Sequence, residues 1–408
     1  MTDQRRVLRI GGENVPGLGT IEHGSIPRLD GFPGRRLSFD DPARGRMIEA
    51  LANPVQRTRE RESALSARNS ARFEAGELAV ALSHYDLGVI ESVTDFPRGS
   101  RRSPKVGIVA ERGKFLLKRR SLDRIQPDRL RLSHQVQTYL AGHGFPAPKL
   151  VPTRNRGSAW LQIREHVYEL FEFVAGEPFR RTPEEARQAG LWLARFHGIT
   201  ESFESPLLAA APRGDFHDAP GIRTGLYSIG HRLQSHESFM GHEAELPGLV
   251  DALLAAYDRA AEHANRAGLG ALPERLIHGD WHPGNLVFRD GRVIGVIDYD
   301  AMRLSRRAMD IANGALQFSI LAGGDPAEWP DALDLERFRA FLDGYAEEQS
   351  PAETERTCLV DLMIEALIGE CVPQITRTGS LGGWSGFRVL KMVKRKVDWM
   401  QHHADRLA

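Results

Sequence analysis

The chain has 408 residues, of which 41% are hydrophobic and 26% charged, and its 54 Lys and Arg balance 54 Asp and Glu. This composition excludes collagen-like and wholly disordered proteins, and the length predicts two or three domains or lobes. The N-terminus lacks the apolar core of a signal peptide, no run of about 18 apolar residues occurs, and the two cysteines cannot form a disulfide framework, so we expect a cytoplasmic protein without a transmembrane segment.

The first part of the chain carries little pattern but a marked charge asymmetry. Residues 1–72 are rich in Gly, Pro and Arg, which predicts an irregular or disordered extension. Residues 98–154 hold 14 Lys and Arg but only three acidic residues. A stretch this basic indicates either an anionic partner, such as nucleotide phosphates, or a solvated basic face. No zinc-finger, RRM or helix-turn-helix signature accompanies the charge, which argues against nucleic acid.

Residues 73–173 have the pattern of a mixed lobe. Apolar residues at helical spacing predict a short helix near Glu74 and a second helix at 127–142. We expect a sheet of about five strands, with the second helix inserted after the third strand. The segments with strand-like apolar, β-branched and aromatic content are residues 87–93, 105–111, 113–120, 158–165 and 166–174.

Helical patterns dominate from residue 174 onward, after a natural hinge at Val174–Gly176. Thr182 and Glu185 form a capping-box pattern at the start of the first of these helices. A β-rich lobe at 73–173 followed by a helical lobe at 174–408 predicts an α+β fold with a cleft between the lobes. The other segments with helical spacing are residues 247–266, 305–321, 334–347, 355–371 and 386–406.

The segment LIHGDWHPGNLVFRDGRVIGVIDYD, residues 276–300, concentrates the polar chemistry. Two short strands joined by an Arg-Asp-Gly turn form a hairpin, and its open end places Asn285 close to Asp298. An amide oxygen beside a carboxylate suits Mg²⁺. Asp280 lies five residues before Asn285 and can face a metal-bound phosphate without ligating the metal. Phosphoryl transfer needs this separation between a carboxylate that accepts a proton and groups that hold a metal.

The motifs HGDWHPGN at 278–285 and IDYD at 297–300 together resemble the catalytic loop and metal-binding motif of the aminoglycoside phosphotransferase / choline kinase-like family. The resemblance covers about residues 76–400, and the joint spacing of the two motifs is its specific part. It implies a protein-kinase-like bilobal fold and ATP- and Mg²⁺-dependent phosphate transfer to a small molecule. The implied roles are Asp280 as catalytic base, Asn285 and Asp298 as Mg²⁺ ligands, and His278 as the residue that holds the loop backbone.

The resemblance also assigns nucleotide contacts to the first lobe. Lys118 matches the strand lysine that contacts the α- and β-phosphates, and Arg119, one register off, is the second choice. In one departure from the family pattern, the helix at 127–142 contains no Glu to pair with Lys118. The remaining assignments are Gly99 and Ser100 over the phosphates, and Glu172, Phe173 and Val174 as backbone groups toward adenine.

Five further residues are candidates for supporting roles or for contact with the acceptor. His282 either contacts the transferring phosphate or packs within its loop, and Asp300 either supports the metal site or bonds to nearby backbone. Asp310 resembles the aspartate that braces the catalytic loop in this family, which is a structural role. Glu365 and Glu370 either meet a cationic or polyol acceptor or are ordinary helix charges.

Three functions compete on the sequence alone. The leading hypothesis is an ATP- and Mg²⁺-dependent kinase that phosphorylates a hydroxyl or amine of an unidentified small molecule. A nucleotide-binding pseudokinase is the second, because the helix carboxylate is missing and the N-terminal extension is rich in Arg. The third is a metallohydrolase with His278, Asp280 and His282 as ligands, although alternate residues beside Pro-Gly do not obviously converge.

Overall fold

The structure, a computed structural model, describes residues 73–96, 103–155, 157–234 and 242–407. The predicted extension at 1–72 and the candidate residues Gly99 and Ser100 lie outside this part of the chain. The described residues divide into two compact units: the first holds those up to Asp123 together with Val151–Leu170, and the second holds Arg124–Leu150 and those from Phe171 onward. The helix at 127–142, which the sequence analysis assigns to the first lobe, clusters with the second unit.

The first unit is built on a five-stranded sheet with one helix packed on it. The elements are α1 (Ala75–Ser83), β1 (Ile90–Asp95), β2 (Lys105–Ala110), β3 (Gly113–Ser121), β4 (Leu161–Ile163) and β5 (His166–Glu172). The strand order is β1-β2-β3-β5-β4, and the pairs β1–β2, β2–β3 and β4–β5 are antiparallel. The predicted helix and five strands of this region are therefore present, but β1 begins and ends later than predicted, β3 is one residue longer, and the other three strands are shorter.

The alternation of side chains along β3 separates Lys118 from Arg119. Phe115 and Leu117 point to the apolar core that the sheet shares with α1, and Arg119 follows them on the same face. Lys118, 7% exposed, lies on the other face, in register with Lys105 of β2. Only one of the two cations can therefore share the α1 face.

Arg119 is held by Glu77 of α1. Its Nη1 donates to both carboxylate oxygens of Glu77 at 2.7 Å, and the Tyr168 hydroxyl donates to Oε1 at 2.7 Å. Burial alone would raise the pKa of Glu77, but the hydrogen bonds from Arg119 and Tyr168 outweigh it and lower that pKa. Arg120 pairs in the same unit with the buried carboxylate of Glu169. These glutamates lie outside the helix in which a carboxylate is expected.

The second unit is mainly helical, with three two-stranded sheets. The hairpin at 286–296 is present, as predicted. The helices are α2 (Pro127–Gly142), α3 (Pro183–Glu201), α4 (Pro220–Gln234), α5 (Leu246–Arg266), α6 (Ala308–Ser319), α7 (Leu335–Ala346), α8 (Glu353–Thr357), α9 (Leu359–Thr378), α10 (Gly386–His402) and α11 (Ala404–Leu407). The paired strands are β6 (Arg275–Ile277) with β9 (Arg303–Ser305), β7 (Leu286–Arg289) with β8 (Arg292–Val296), and β10 (Ser380–Leu381) with β11 (Trp384–Ser385).

Helix α4 and the pair β6–β9 are the main elements that the sequence analysis misses. Three glycines in α4 weaken its helical propensity, although its buried residues recur at helical spacing. Strands β6 and β9 have three residues each, too few to show a period. Only half of the predicted capping box of α3 forms: Thr182 Oγ1 accepts from the N–H of Glu185 at 3.2 Å, but the Glu185 side chain binds Arg180.

Helices α3 and α7 pack backbone against backbone. A Cβ on Gly190 would lie 1.9 Å from the carbonyl oxygen of Phe341, and a Cβ on Gly344 would lie 1.9 Å from that of Arg187. This approach requires glycine at both positions, since any side chain would force the helices apart. It brings His197 of α3 beside Tyr345 of α7, with 2.8 Å between Nδ1 and the hydroxyl oxygen. His197 of this pair also contacts the polar site, through Asp310.

The segment after β5 is docked onto the hairpin within the second unit. Glu177 exchanges backbone hydrogen bonds with Phe288 at 2.7 and 2.9 Å, and a Cβ on Gly176 would lie 2.5 Å from the Phe288 carbonyl oxygen. The predicted hinge at 174–176 is therefore extended chain laid along β7. Of the helices in the described ranges, none is both long enough and apolar enough to cross a membrane.

Candidate functional site

The 278–285 loop follows β6 and is held in place by hydrogen bonds to one buried carboxylate. Asp310, 1% exposed in the first turn of α6, accepts from the N–H of His278 at 2.7 Å and of Gly279 at 2.8 Å. His197 Nε2 lies 3.2 Å from the same carboxylate. Burial would raise the pKa of Asp310, but the bonds from His197 and the loop backbone lower it. Asp310 therefore braces the loop, as predicted.

The 278–285 loop interlocks with the 298–302 loop at Gly279. Gly279 has φ +75°, a left-handed conformation, and a Cβ there would lie 2.5 Å from the carbonyl oxygen of Ala301. Both constraints demand glycine. The middle position of the His-Gly-Asp motif thus sets the spacing between the two loops, and with it the placement of the groups that each carries.

The His278 side chain does not hold the loop through hydrogen bonds. Its ring is fully buried and packs against the rings of Phe196, Trp281 and Tyr299, with centroid distances of 5.2–5.7 Å. Neither ring nitrogen has a hydrogen-bond partner among the residues described. Burial lowers the pKa of this imidazole, which favours its neutral form. The loop is held instead by the His278 backbone N–H on Asp310, and the ring contributes apolar packing.

Asn285 links Asp280 to the segment that carries Asp298. Its Nδ2 donates to Asp280 Oδ2 at 2.8 Å and to the Asp280 carbonyl at 2.9 Å. Its own carbonyl accepts from the N–H of Ile297 at 2.9 Å, one residue before Asp298. The two chain segments at the open end of the hairpin therefore lie side by side, as the hairpin geometry predicts. Because Nδ2 faces Asp280, the side-chain oxygen of Asn285 is directed away from that carboxylate.

His282 faces the same carboxylate. Its Nδ1 accepts from the N–H of Gly284 at 3.0 Å, which leaves the proton on Nε2, 3.5 Å from Asp280 Oδ2. Burial opposes charge on both groups, but each favours the charged form of the other. The pKa of Asp280 is lowered by His282 and Asn285, and the pKa of His282 is raised by Asp280. Asp280 is thus held ionised, as a proton acceptor must be.

Asp298 begins the 298–302 loop with a left-handed backbone, φ +65° and ψ +72°. Such a conformation is uncommon for a residue other than glycine. The Asp298 carboxylate and the Asn285 amide oxygen are hard oxygen donors, the kind that a divalent cation such as Mg²⁺ prefers. The Asp300 carbonyl accepts from Arg129 of α2 at 2.6 Å, so α2 contacts this loop.

The two candidate glutamates of α9 have different surroundings. Glu365 is fully buried, and both of its oxygens lie within 3.1 Å of His217 Nδ1, so it is committed to an internal pair. Glu370 is solvent-accessible, and Gln317 of α6 donates to it. Desolvation of the carboxylate by the surrounding protein and the nearby charge of Asp280 raise the pKa of Glu370 to about 7. His282 acts in the opposite direction. Glu370 therefore belongs to the surroundings of Asp280, and Glu365 does not.

The candidate nucleotide residues lie in both units. Lys118 is in the first unit, whereas Glu172, Phe173 and Val174 belong to the second. The N–H of Glu172 donates to the carbonyl of Lys149 at 2.9 Å, so it is not offered to a ligand. Phe173 is 36% exposed.

Four residues of the site escape the sequence analysis: His197, Tyr345, Gln317 and Arg129. His197 and Tyr345 extend the Asp310 brace, Gln317 binds Glu370, and Arg129 binds the 298–302 loop. His197 and Gln317 follow an apolar helical period, which is a signal of inward-facing polar groups. Arg129 gives no such signal, because it is one of many cations in a basic segment.

The His-x-Asp-x-His ligand set is not supported by this geometry. The ring of His278 is enclosed by aromatic side chains, and Nδ1 of His282 is already bonded to Gly284. Within the described ranges, no group of three or more His, Cys, Asp or Glu side chains is arranged to hold a metal ion.

Known proteins resemble the chain in sequence and in fold. The model of the phosphotransferase enzyme family (APH) matches residues 94–355. A homoserine kinase of Caulobacter sp. (strain K31) is 28% identical over 286 residues, which cover 68% of this chain and 79% of the relative.

Two solved structures share the fold at low identity. Amicoumacin kinase hAmiN, in complex with AMP-PNP, Ca²⁺ and Ami, superposes with a TM-score of 0.60 at 16% identity, covering 82% of this chain and 96% of that one. A microcompartment-associated aminopropanol kinase gives a TM-score of 0.58 at 15% identity, covering 81% and 98%.

Proposed function

Because the chain belongs to the phosphotransferase enzyme family, we propose that it transfers the γ-phosphate of ATP to the hydroxyl of a small amino alcohol, with Asp280 as the base. The observation that carries this proposal is the arrangement of hydrogen bonds at the open end of the β7–β8 hairpin. There the Asn285 amide binds the Asp280 carboxylate, while the Asn285 backbone binds Ile297, next to Asp298.

Three coarser predictions are confirmed. The family is the predicted one, the fold is α+β and protein-kinase-like, and the enzyme class is a phosphotransferase that acts on hydroxyl groups of small molecules. Nucleotide and a divalent metal are expected throughout this family. The choice of Mg²⁺, the acceptor and the role of each residue belong to the proposal.

In the proposed reaction, the hydroxyl oxygen of the acceptor bonds to the γ-phosphorus while Asp280 accepts the hydroxyl proton. The bond from that phosphorus to the bridging oxygen breaks, and ADP leaves. Asn285 and Asp298 would hold Mg²⁺, which supplies charge neutralisation on the phosphates when bound. His282 keeps Asp280 ionised, and Asp300 contributes its backbone to the shape of the 298–302 loop.

The nucleotide contacts of the proposal follow the family pattern. Lys118 is assigned to the α- and β-phosphates, and Arg119 is not, because Glu77 binds it on the α1 face. The segment Glu172–Val174 is assigned to adenine without the N–H of Glu172, which Lys149 occupies. Since positioning and electrostatics supply most of the rate in such reactions, these contacts are part of catalysis.

Binding of nucleotide is the first test of the proposal. ATP with Mg²⁺ should raise the melting temperature of the wild-type protein, because a ligand at 100 times its Kd stabilises the native state by about 2.7 kcal/mol. The shift should require Mg²⁺ and should vanish in Asp298→Ala. The exposed carboxylate of Asp343 on α7 provides the control, since Asp343→Ala should behave as wild type. Absence of any shift with millimolar nucleotide would contradict the proposed function.

Glu370 is proposed to bind the ammonium group of the acceptor. The charge of Asp280 raises the pKa of Glu370, so a cation bound beside the two carboxylates would be attracted by both and would relieve their repulsion. The names of the homoserine kinase relative and of the aminopropanol kinase with the same fold support an acceptor that has both an amine and a hydroxyl.

Glu370→Gln should raise the KM for amino alcohols about 10- to 100-fold, the size expected for loss of a charged hydrogen bond. The wild-type KM for these acceptors should fall as pH rises through the raised pKa of Glu370, and the variant should lose this dependence. Alcohols without the amine should keep their KM, and Glu353→Gln on α8 is the exposed control. Equal losses for both acceptor types would refute ammonium binding by Glu370.

A further inference from the structure

Helix α2 lacks the glutamate that the family pattern leads one to expect, but it carries an arginine that contacts the 298–302 loop. No Glu occurs in Pro127–Gly142, and its described polar contact with the 298–302 loop is made by Arg129, in the first helical turn. Nη2 of Arg129 donates to the carbonyl oxygen of Asp300 at 2.6 Å, and the side chain is half-buried. A guanidinium donor at this distance makes one of the stronger hydrogen bonds available to a backbone carbonyl.

The 298–302 loop needs external support. Its first residue, Asp298, adopts a left-handed conformation that is strained for a residue other than glycine. Its short 3₁₀ turn, Tyr299–Ala301, is closed by a long hydrogen bond of 3.4 Å from the Met302 N–H to the Tyr299 carbonyl. Such a conformation persists only where surrounding contacts determine it.

Two arginines hold the consecutive carbonyl groups of this turn. Arg129 binds the carbonyl of Asp300 from α2, and Arg303 Nε binds that of Ala301 at 3.0 Å from β9. The Ala301 carbonyl is also the atom that approaches Gly279. Arg303 lies one residue beyond the loop, so its contact is local in sequence. Arg129 is separated from Asp300 by 171 positions and ties the loop to an independent element.

We propose that Arg129 is a positioning residue that fixes the 298–302 loop, and through it the Asp298 carboxylate, in the orientation that binds the metal. The inference rests on the proposed function only for the metal, since the contact between Arg129 and Asp300 is a property of the protein alone. Helix α2 thus acts on the phosphate-transfer site through a cation on the metal loop.

The test compares Arg129→Gln with Arg129→Lys and with Arg131→Gln. Arg131 is the matched control, because it lies on the same helix with a side chain 56% exposed and an ion pair to Asp128. The first readout is amide hydrogen exchange in the ligand-free protein. Exchange at residues 299–302 should accelerate about tenfold or more in Arg129→Gln, while exchange at His278 and Gly279 stays unchanged.

The second readout is the dependence on metal. In Arg129→Gln, the Mg²⁺ concentration for half-maximal turnover should rise about tenfold, and kcat should fall about 10- to 100-fold, as expected when a positioning contact is lost. Arg129→Lys, which keeps one donor and the charge, should recover part of both. Arg131→Gln should match wild type in every measurement.

Unchanged exchange at 299–302 in Arg129→Gln would overturn the proposal, as would equal effects in Arg131→Gln. Failure of the proposed function looks different: wild type would show no Mg²⁺-dependent nucleotide binding, while the exchange arm would still report on the Arg129 contact.

Discussion

Asp280→Asn is expected to lower kcat by about 10²- to 10⁴-fold, the range that general base catalysis contributes. The substitution keeps the shape of the side chain and one acceptor oxygen, but it removes the charge that His282 and Asn285 stabilise. The proton of the acceptor hydroxyl then loses the carboxylate that is proposed to receive it. Steady-state kinetics with a saturating amino alcohol, at several pH values, measures the loss.

Nucleotide binding separates loss of the base from loss of the fold. The thermal shift with ATP and Mg²⁺ should remain in Asp280→Asn, because Asp280 is not assigned to the metal. Asp343→Asn, on an exposed face, should keep full turnover. A variant that retains wild-type kcat would remove Asp280 from its proposed role, and one that loses the ATP shift would indicate a metal ligand instead of a base.

Asp310→Ala is expected to lower the free energy of unfolding by about 3–5 kcal/mol, since removing one partner from a buried charged network leaves the others unsatisfied. Two backbone N–H groups and His197 lose their acceptor at once. Because the burial that would raise the pKa of Asp310 is outweighed by these partners, its stabilisation is present above the ordinary pKa of Asp and is lost as pH falls through the lowered value.

Urea denaturation at neutral and acidic pH measures this effect. The difference between wild type and Asp310→Ala should shrink on acidification, and Asp343→Ala should lie within about 0.5 kcal/mol of wild type. Turnover of the folded variant should also fall, because the 278–285 loop loses its brace. A variant as stable as wild type at neutral pH would show that the loop is held by other contacts.

The site could be predicted from sequence where local rules determine the geometry. A tight hairpin brings its two ends together whatever surrounds it, so Asn285 could be placed near Asp298 from the turn and the strand lengths alone. Strand alternation could likewise separate Lys118 from Arg119. Glu365 and Glu370 are a missed case: five residues apart, they point about 140° from each other around a helix, but the sequence analysis treats them as one pair.

Long-range contacts were beyond prediction for a physical reason. His197 reaches Asp310 of α6 across 113 positions and Tyr345 of α7 across 148, and the contact with Tyr345 depends on how closely α3 and α7 pack at two glycines. The direction of the Arg129 side chain depends on the placement of α2 beside the 298–302 loop. No local pattern distinguishes it from the other cations of the basic stretch.

Because Asp298 has a left-handed backbone, selection for stability and selection for activity favour different residues at this position. Glycine would adopt the same φ without strain, so a change that removes the carboxylate can be neutral or favourable for folding. If Asp298 holds the metal as proposed, a library of this enzyme sorted only by heat resistance should accumulate members of low activity with substitutions at residue 298. Engineering for robustness has to include turnover in the sorting step, or exempt this position from mutation.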